Sequence, residues 1–415
     1  MRSSRSRELG TTSLKPDDPV AAALGEILET FGVDAAAAYV REPEQSRLRL
    51  TGARSRAETG GPPLPEEYAW GKGLVGGAAE RAEPLTAPEP NPYALAAPML
   101  LGDEVAGVVA IVAGGRRPTP AEGDALLARG RALARALAPA PLDALRGELV
   151  RRLAPPGLAW LETLLAAAGR GERAAVFTAF PAVSRRVGRE SLGCRSALVR
   201  RDLDLEIPLR AWRIDDAARA ALICAFAGDG EALARELYFA GDLRERTGAL
   251  RGLAVVGRSP AALDAVVDAG RVSAVELFEA AIAENPYVSR VLPADEFRKI
   301  VLKCAFVGVA LDRVVGLETR ADEELSRMLL SYVSEREVAG RSVPPDIWPI
   351  VALHPTAGLA AKLCGYLEHP AEAHRTAAAL ALGRIGDRRV RPLLEDRLLR
   401  ETDPSVRRAV ERAIS

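Results

Sequence analysis

Helical spacing of apolar residues over most of the chain constrains the fold more than any other feature. From Leu142 onward apolar residues recur three and four positions apart, as in Leu158, Leu161, Leu164 and Leu165. This spacing places them on one face of a helix, and no convincing alternation of apolar and polar residues, the mark of a strand, occurs there. Short breaks rich in Gly and Pro separate the segments. The pattern predicts an α-helical solenoid whose helices bury their apolar faces against one another.

Two internal echoes indicate that the helices repeat. Gly257 follows Arg246-Thr247 at an offset of 11 residues from the arginine, and Gly386 follows Arg375-Thr376 at the same offset of 11. A run similar to the one at Arg375 begins at Arg407, 32 residues later. A fixed period of this length is typical of stacked helix pairs, so the C-terminal part resembles HEAT repeats that end in a cap.

Residues 284–348 hold two helices with clear start and stop signals. Asp295 is placed to cap the first helix, predicted over 295–307, and Asp322 the second, predicted over 322–339. The first helix carries apolar residues on two sides, which predicts that it lies between layers. Its Lys303 is then a partly buried charge that needs a partner.

The densest polar group beside apolar helices falls in the same segment. Its members are Lys303, Asp312, Arg313, Arg320, Tyr332, Glu335 and Arg336. Two arginines in a loop suit bidentate binding of a carboxylate or phosphate, so these residues are the candidate ligand-binding site. The alternative is a salt-bridged layer that holds the loop against the helices. An enzyme acting on a small anionic metabolite would use Lys303, Arg313, Tyr332 and Glu335.

The N-terminal part has an α/β pattern. Strands are predicted at 36–41, 47–51, 95–101 and 104–112, and helices at 20–31 and 119–137. Gly102-Asp103 suits the tight turn of a hairpin between the last two strands. The run Gly71–Gly76 matches the dinucleotide-binding pattern Gly-x-Gly-x-x-Gly, but the Pro-rich residues before it cannot form the buried strand that this motif needs.

The totals exclude several function classes. A chain of 415 residues is long enough for two or three hydrophobic cores. Its 56 basic and 56 acidic residues cancel, which leaves little electrostatic drive for nucleic-acid binding. No apolar run approaches the roughly 20 residues that span a bilayer, and no apolar segment follows the basic N-terminus as in a secretory signal. The four dispersed cysteines are expected to be reduced, buried thiols, so we expect a cytoplasmic protein.

Motifs for metal binding and catalysis are missing from the sequence. His369 and His374 stand about 140° apart on a helix and have no acidic third ligand in register, which argues against zinc. No nucleophile elbow, phosphate-binding loop or Cys-His pair is present, so we expect no cofactor, no metal and no catalytic residue. The basic run Ser184–Arg189, continued by Arg195, Arg200 and Arg201, is interpreted as a solvated face. Contact with an anionic membrane surface or an acidic partner is the alternative.

Two runs in the N-terminal part, Trp70–Gly76 and Ala97–Val112, resemble a GAF domain. The resemblance implies a domain that binds a small ligand or serves as a dimerising spacer. Residues 1–150 contain no Cys to attach a bilin and no His to ligate haem, so we expect a dimerising or docking module. A small-molecule sensor with a helical output domain is the alternative.

Several runs between about Gly157 and Trp348 carry a second resemblance. They include Glu284-Asn285-Pro286-Tyr287, Val301–Gly308 and Gly316–Ala321. In these runs the chain resembles the EboA family of metabolite traffic proteins. The resemblance implies a helical-repeat protein encoded with a prenyltransferase-like membrane protein and TIM-barrel partners, acting in the movement or processing of secondary-metabolite precursors. It implies no catalytic residues.

These observations predict a multidomain α/β plus all-α chain. Its expected parts are a disordered tail at 1–18, a GAF-like α/β sandwich at 19–138, a linker at 139–156, an EboA-like α-helical domain at 157–350 and HEAT-like repeats at 351–415. We expect a non-enzymatic scaffold that binds pathway proteins or a small metabolite and forms a homodimer through its N-terminal module, in the cytoplasm or peripherally at a membrane.

Overall fold

The computed structural model describes residues 18–42, 46–56, 64–87, 94–114 and 116–414. The chain forms two compact units. The first consists of Met1–Leu153 and Glu190–Arg213, and the second of Ala154–Arg189 and Ile214–Ser415. The predicted tail at 1–18 lies outside the described residues except for Asp18, whose carboxylate accepts a hydrogen bond from the amide of Val20 at the start of the first helix.

The first unit is a six-stranded antiparallel sheet with helices on both faces and an added hairpin. Its helices are α1 (Pro19–Phe31), α2 (Gly73–Arg81), α3 (Pro120–Leu137) and α4 (Pro141–Val150). Its strands are β1 (Ala35–Glu42), β2 (Arg47–Ser55), β3 (Glu67–Ala69), β4 (Leu85–Thr86), β5 (Leu95–Leu101), β6 (Glu104–Val112), β7 (Ala197–Arg200) and β8 (Leu205–Pro208). The sheet order is β3-β2-β1-β6-β5-β4, and β7 pairs with β8.

Alternation along the central strand β1 builds a core on each face of the sheet. Ala36 lies in one buried cluster with Leu24 of α1 and Leu133 of α3. Tyr39 lies in the other cluster with Val75 of α2. Because successive strand residues point to opposite faces, one short apolar strand serves both cores. The predicted α/β sandwich is confirmed.

Two glycines of this unit allow a tight turn and a close approach of the backbone. Gly102, with a φ of 60°, makes the predicted turn between β5 and β6. A Cβ on Gly76 would lie 2.2 Å from the carbonyl oxygen of Ala69, so this glycine lets α2 approach the end of β3. Because β3 is a short antiparallel edge strand and not a buried parallel one, the Gly71–Gly76 run has the wrong setting for a dinucleotide site.

The β7–β8 hairpin corrects the expectation that no strand follows Leu142. Its inward side chains Ala197 and Val199 join the cluster on the α1 and α3 face of the sheet. The amide of Asp103 donates to the carbonyl oxygen of Arg195 (2.9 Å), and the amide of Gly102 donates to the Glu206 carboxylate (2.8 Å). These contacts explain why 190–213, a part of the predicted helical domain, belongs to the first unit. Strands of four residues are too short for their alternation to stand out.

The second unit is built from helices joined by short turns. They are α5 (Pro155–Gly169), α6 (Arg173–Ala179), α7 (Val183–Val187), α8 (Ile214–Ala225), α9 (Gly230–Ala240), α10 (Leu243–Val256), α11 (Leu263–Arg271), α12 (Val275–Ile282), α13 (Pro286–Val291), α14 (Ala294–Val307), α15 (Leu317–Arg320), α16 (Glu323–Val338), α17 (Ile347–Val351), α18 (Leu359–Tyr366), α19 (Glu372–Ile385), α20 (Arg391–Arg400) and α21 (Pro404–Ile414). Short 3-10 helices cover 180–182, 260–262, 311–313 and 388–390. The predicted helical region is confirmed.

Two predictions about the helices of 284–348 have different outcomes. Asp322 caps α16, accepting a hydrogen bond from the amide of Leu325 (2.9 Å), as predicted. Asp295 is not a cap, because α14 already starts at Ala294. The carboxylate of Asp295 pairs with Arg298 instead (2.7 Å). The expectation that α14 lies between two layers is also wrong, since Phe306 on its second apolar side is 70% exposed.

Helices α8 and α10 approach each other closely at two glycines. A Cβ on Gly248 would lie 2.4 Å from Cδ of Arg219, and one on Gly252 would lie 2.5 Å from Cδ1 of Ile223. Without side chains at these two positions, the α10 backbone rests directly on the side chains of α8. Gly248 belongs to the first echo of the repeat, which gives that echo a packing reason.

The second echo, at the C-terminus, converges on one buried residue, Glu401. Glu401 accepts hydrogen bonds from Arg375 (2.9 Å) and Arg397 (3.0 Å). Arg407 donates to the Glu401 carbonyl oxygen (3.0 Å). Burial alone would raise the pKa of Glu401, but the hydrogen bonds from Arg375, the amide of Asp403 and Arg397 lower it to about 2. The two arginines of the echo therefore tie α19 and α21 to the turn between α20 and α21.

Candidate functional site

Lys303 on α14 caps the C-terminal end of a neighbouring helix. Its ammonium donates to the carbonyl oxygens of Gly270 (2.8 Å) and Val272 (2.7 Å), at the C-terminus of α11, and lies 4.5 Å from the centre of the Phe278 ring. Burial lowers the pKa of the ammonium. A cation at a helix C-terminus satisfies carbonyls that have no partner within the helix, so the partner predicted for this charge is backbone and not a carboxylate.

Arg313 holds the 311–313 turn against α12. Its guanidinium forms two hydrogen bonds with Glu284 (2.7 and 3.0 Å) and one with Glu279 (2.9 Å). These hydrogen bonds, above all those with Glu284, raise the pKa of Arg313. Glu284 is 2% exposed and has a φ of 51°, and its amide donates to the Arg313 carbonyl oxygen (2.8 Å). The guanidinium is thus occupied by two acidic side chains of the same protein.

The remaining predicted arginines and the tyrosine also bond locally. Arg320 donates to the Ser289 carbonyl oxygen (2.8 Å) and lies 4.4 Å from the centre of the Phe297 ring. Tyr332 donates to the Ala305 carbonyl oxygen (3.1 Å) and accepts from Arg336 (3.2 Å). Such contacts join α16 to α14 and α15 to α13.

Asp312 and Glu335 complete the predicted set. Both are exposed, and their side chains make no hydrogen bond or ion pair in the described part of the chain. The seven predicted residues therefore stand in separate local groups. The bonds described for them do not join Lys303, Arg313 and Tyr332 to one another, and their role as a ligand site remains a prediction.

A buried ionic network that the sequence analysis missed lies between α7, α8 and α10. Arg219, 1% exposed, donates to Asp215 (2.8 Å), to Ser184 (3.0 Å) and to the Phe180 carbonyl oxygen (3.3 Å). Ser184 in turn donates to Asp215 (2.7 Å). Arg244 of α10 binds both oxygens of Asp215 (2.7 and 3.3 Å). Four side chains from three helices are thus joined by hydrogen bonds.

Hydrogen bonding keeps the central acid ionised. Burial would raise the pKa of Asp215, but hydrogen bonds from Arg244 and Ser184 outweigh burial, so the pKa lies below its ordinary value. Arg244 also binds Asp216 (2.8 Å) and Glu276 of α12. The network therefore continues to the next helix.

The network and the Arg313 group are neighbours. Arg251 of α10 donates to the Ala283 carbonyl oxygen (3.1 Å), and its guanidinium lies 3.9 Å from the carboxylate of Glu284. Burial lowers the pKa of Arg251, although Asp216 and Glu284 act in the opposite direction. One sequence signal could have revealed this layer. Adjacent aspartates open α8, an otherwise apolar helix with Arg219 one turn further on, and buried charges require partners.

Five of the six arginines in the basic run 184–201 are exposed, which agrees with the interpretation of this run as solvated; Ser184 and Arg200 are the exceptions. Ser184 is buried in the network, and Arg200 is 3% exposed and bonded twice to Asp202 (2.8 and 2.9 Å). The exposed members are Arg185, Arg186, Arg189, Arg195 and Arg201. The run is divided between the two compact units.

His369 and His374 lie close together, although a separation of about 140° around one helix was predicted for them. His369 lies before the start of α19, so its ring reaches that of His374, with ring centres 4.0 Å apart. Nδ1 of His374 accepts from the Trp348 indole (3.4 Å), and Nδ1 of His369 accepts from the Ala371 amide (3.1 Å). In the described ranges no group of three or more His, Cys, Asp or Glu residues is placed to hold a metal ion.

Lys303 also lines a cavity of about 210 Å³ between α11 and α14. The other charged residues of this cavity are Arg271, Lys299 and Glu296. None of the three was predicted as a site residue. Arg271 lies on α11, and only the tertiary packing of the helices brings it to the same cavity as Lys303.

Family comparison identifies the central region. The sequence profile of the family described as "Metabolite traffic protein EboA" matches residues 142–352, half of the chain. The chain belongs to the EboA family. A profile of HEAT repeats matches residues 351–415 of this EboA protein. Both predicted resemblances are confirmed, and the EboA match starts at 142, where 157 was predicted.

Solved structures similar to the N-terminal part are GAF domains. One comes from Acinetobacter phosphoenolpyruvate-protein phosphotransferase, with 14% identity over 28% of this chain and 81% of that chain and a TM-score of 0.24. Another comes from the phosphoenolpyruvate-protein phosphotransferase of Coxiella burnetii, with 19% identity over 28% of this chain and 77% of that chain, also at 0.24. At these scores we draw no functional argument from either domain. A search of curated proteins returned no match.

No helix in the described ranges has both the length and the apolar character needed to cross a bilayer.

Proposed function

We propose that this EboA-family protein is a non-catalytic helical scaffold for the movement or processing of secondary-metabolite precursors. Membership of a family described as metabolite traffic proteins supports the pathway, and the HEAT repeats at 351–415 support a binding role. Stacked helical repeats offer extended surfaces on which partners dock.

The observation that carries the proposal is how the charges of the central region are used. Asp215 binds Arg219 of its own helix and Arg244 of α10, and Arg313 is occupied by Glu279 and Glu284. A catalytic site needs groups left poised toward a cavity where a substrate can reach them. Charges bound to each other fix the relative position of helices instead, as a scaffold requires.

The proposed partner is a prenyltransferase-like membrane protein, as the resemblance to the EboA family implies. Such a complex places the chain in the cytoplasm and peripherally at the membrane. Phe306 supports a docking surface on the central region, because it is 70% exposed and aromatic residues are enriched among interface anchors. The N-terminal module is proposed to dimerise or regulate the scaffold.

Capture from the native host tests the partner. The tagged full-length chain is recovered from detergent-solubilised membranes, and bound proteins are quantified by mass spectrometry. We expect the prenyltransferase-like protein among them, and we expect Phe306→Ser to reduce its recovery about tenfold. The matched control is Val150→Ser, which removes a 53% exposed valine from α4, outside the unit that carries Phe306 and the HEAT repeats. No recovery of the membrane protein by the wild-type chain would refute the proposal.

Light scattering tests the dimer separately. A homodimer has twice the chain mass of 44.1 kDa. A mass of 44.1 kDa at micromolar concentration would remove dimerisation from the proposal without touching the scaffold role.

A further inference from the structure

The cavity between α11 and α14 is positively charged. Its charged lining consists of Arg271, Lys299, Lys303 and one acid, Glu296, with Val267 and Ile300 as apolar neighbours. Three cations against one carboxylate leave an excess positive charge in a concave site, on a chain whose net charge is zero. Clefts lined by one sign of charge concentrate ions of the other sign.

Two of the three cations have donors to spare. An ammonium group carries three N–H donors, and Lys303 uses two of them on the carbonyl oxygens of Gly270 and Val272. Arg271 is exposed, and the described residues include no hydrogen-bond or ion-pair partner for its guanidinium. Lys299 pairs with Glu296 (3.0 Å) and so uses the only carboxylate of the lining.

The placement of the lysines is unfavourable without an anion. Lys299 and Lys303 are four residues apart on α14, where like charges repel. The chain has only five lysines, and two of them face this cavity. The described ion pairs give Lys303 no carboxylate, and burial lowers its pKa. A bound anion would relieve the repulsion and supply the missing countercharge.

We propose that this cavity binds a small oxyanion, the phosphate or carboxylate group of a small molecule. Its volume of about 210 Å³ lies below the roughly 300 Å³ at which sites for whole drug-sized ligands begin, so it suits a head group or a small free anion. Arg271 offers a planar guanidinium for bidentate contact, and Lys299 and Lys303 act as point charges. This site is independent of the scaffold role, since it needs no partner protein.

Calorimetry on the full-length chain at low ionic strength tests the site. Inorganic phosphate and citrate are titrated separately, so that the two sources of an oxyanion are distinguished. The test variant is Arg271→Gln with Lys299→Gln, which keeps Lys303 as the cap at the C-terminus of α11. The control variant is Arg341→Gln with Arg408→Gln, which makes the same change in net charge at two exposed arginines of the same unit.

We expect at least one of the two anions to bind, and the test variant to weaken it about tenfold while the control variant binds as the wild type does. Binding of phosphate alone identifies a phosphate site, and binding of citrate alone a carboxylate site. Equal weakening in both variants would show general charge attraction and overturn the proposal, as would a failure of both anions to bind. Partner capture by the test variant is expected to be unchanged, so loss of the anion site and loss of the scaffold role are distinguishable.

Discussion

Replacement of Arg219 by methionine is expected to destabilise the second unit by about 3 kcal/mol. Methionine keeps the unbranched stem against which Gly248 packs and removes only the guanidinium. That group makes three hydrogen bonds, to Asp215, Ser184 and the Phe180 carbonyl oxygen, and its carbon lies 5.2 Å from the centre of the Phe180 ring.

The expected cost of Arg219→Met depends on which hydrogen-bond partners Asp215 keeps. Breaking a buried ion pair costs roughly 3–5 kcal/mol when one charge loses all its partners. Here Asp215 still accepts from Arg244 and Ser184, so the expected cost lies at the lower end of that range. Asp215→Asn weakens the bonds to both arginines and is expected to cost about 4 kcal/mol.

Hydrogen exchange of the α8 amides in the native protein measures the local free energy of opening, which avoids treating a chain of two units as two-state. The double variant Asp215→Asn with Arg219→Met should be less destabilised than the sum of the singles by roughly 1–3 kcal/mol, because the two side chains interact directly. Arg408→Met is the surface control, with an expected change within about 0.5 kcal/mol. Additive single effects, or a cost for Arg219→Met as small as that of the control, would refute the reasoning.

Three further predictions test other parts of the structure. Gly248→Ala is expected to cost about 1–3 kcal/mol, since its Cβ would overlap the stem of Arg219. Gly365→Ala, where a Cβ meets nothing within 4 Å, should instead stabilise its helix by roughly 0.5–1 kcal/mol, and equal effects on local opening in hydrogen exchange would contradict this expectation. Ser326→Ala is expected to be neutral or stabilising by up to about 1 kcal/mol in the same assay, because its buried hydroxyl has no hydrogen-bond partner in the described part of the chain; a clear loss of stability would show that a partner exists. Glu401→Gln should cost roughly 2 kcal/mol at pH 7. The folded pKa of Glu401, about 2, lies below the ordinary value near 4.3, so the stabilisation is present above about pH 4.3 and is lost as the pH falls toward 2. A wild-type advantage that persists unchanged at pH 2 would contradict this prediction.

Local signals in the sequence were enough for elements whose boundaries are marked by single residues. The β5–β6 hairpin follows from a glycine that adopts positive φ, and the start of α16 follows from an aspartate that caps its first turn. Both are decided within a few residues, so the sequence alone specifies them. The β7–β8 hairpin was missed because its strands are stabilised by the distant sheet core and not by their own alternation.

The ionic network was missed for a related reason. Arg244 meets Asp215 from a helix 29 residues away along the chain, and Glu276 lies 32 residues further on. Periodicity shows which face of a helix is buried, but it does not show which polar residues on two helices face each other. The same limit explains why Arg271 was not associated with Lys303 until the structure placed α11 beside α14.

The candidate residues Arg313 and Glu335 provide the most direct test of the claim that charges of the central region are structural. Local stability is measured by hydrogen exchange in α12 for Arg313→Met and Glu335→Gln, each compared with the wild type. We predict a loss of about 3 kcal/mol for Arg313→Met, because the buried Glu284 loses its bidentate partner but keeps Arg251, 3.9 Å away. We predict no change beyond about 0.5 kcal/mol for the exposed Glu335→Gln. Wild-type stability in Arg313→Met would contradict the account, because it would leave this arginine available for a ligand.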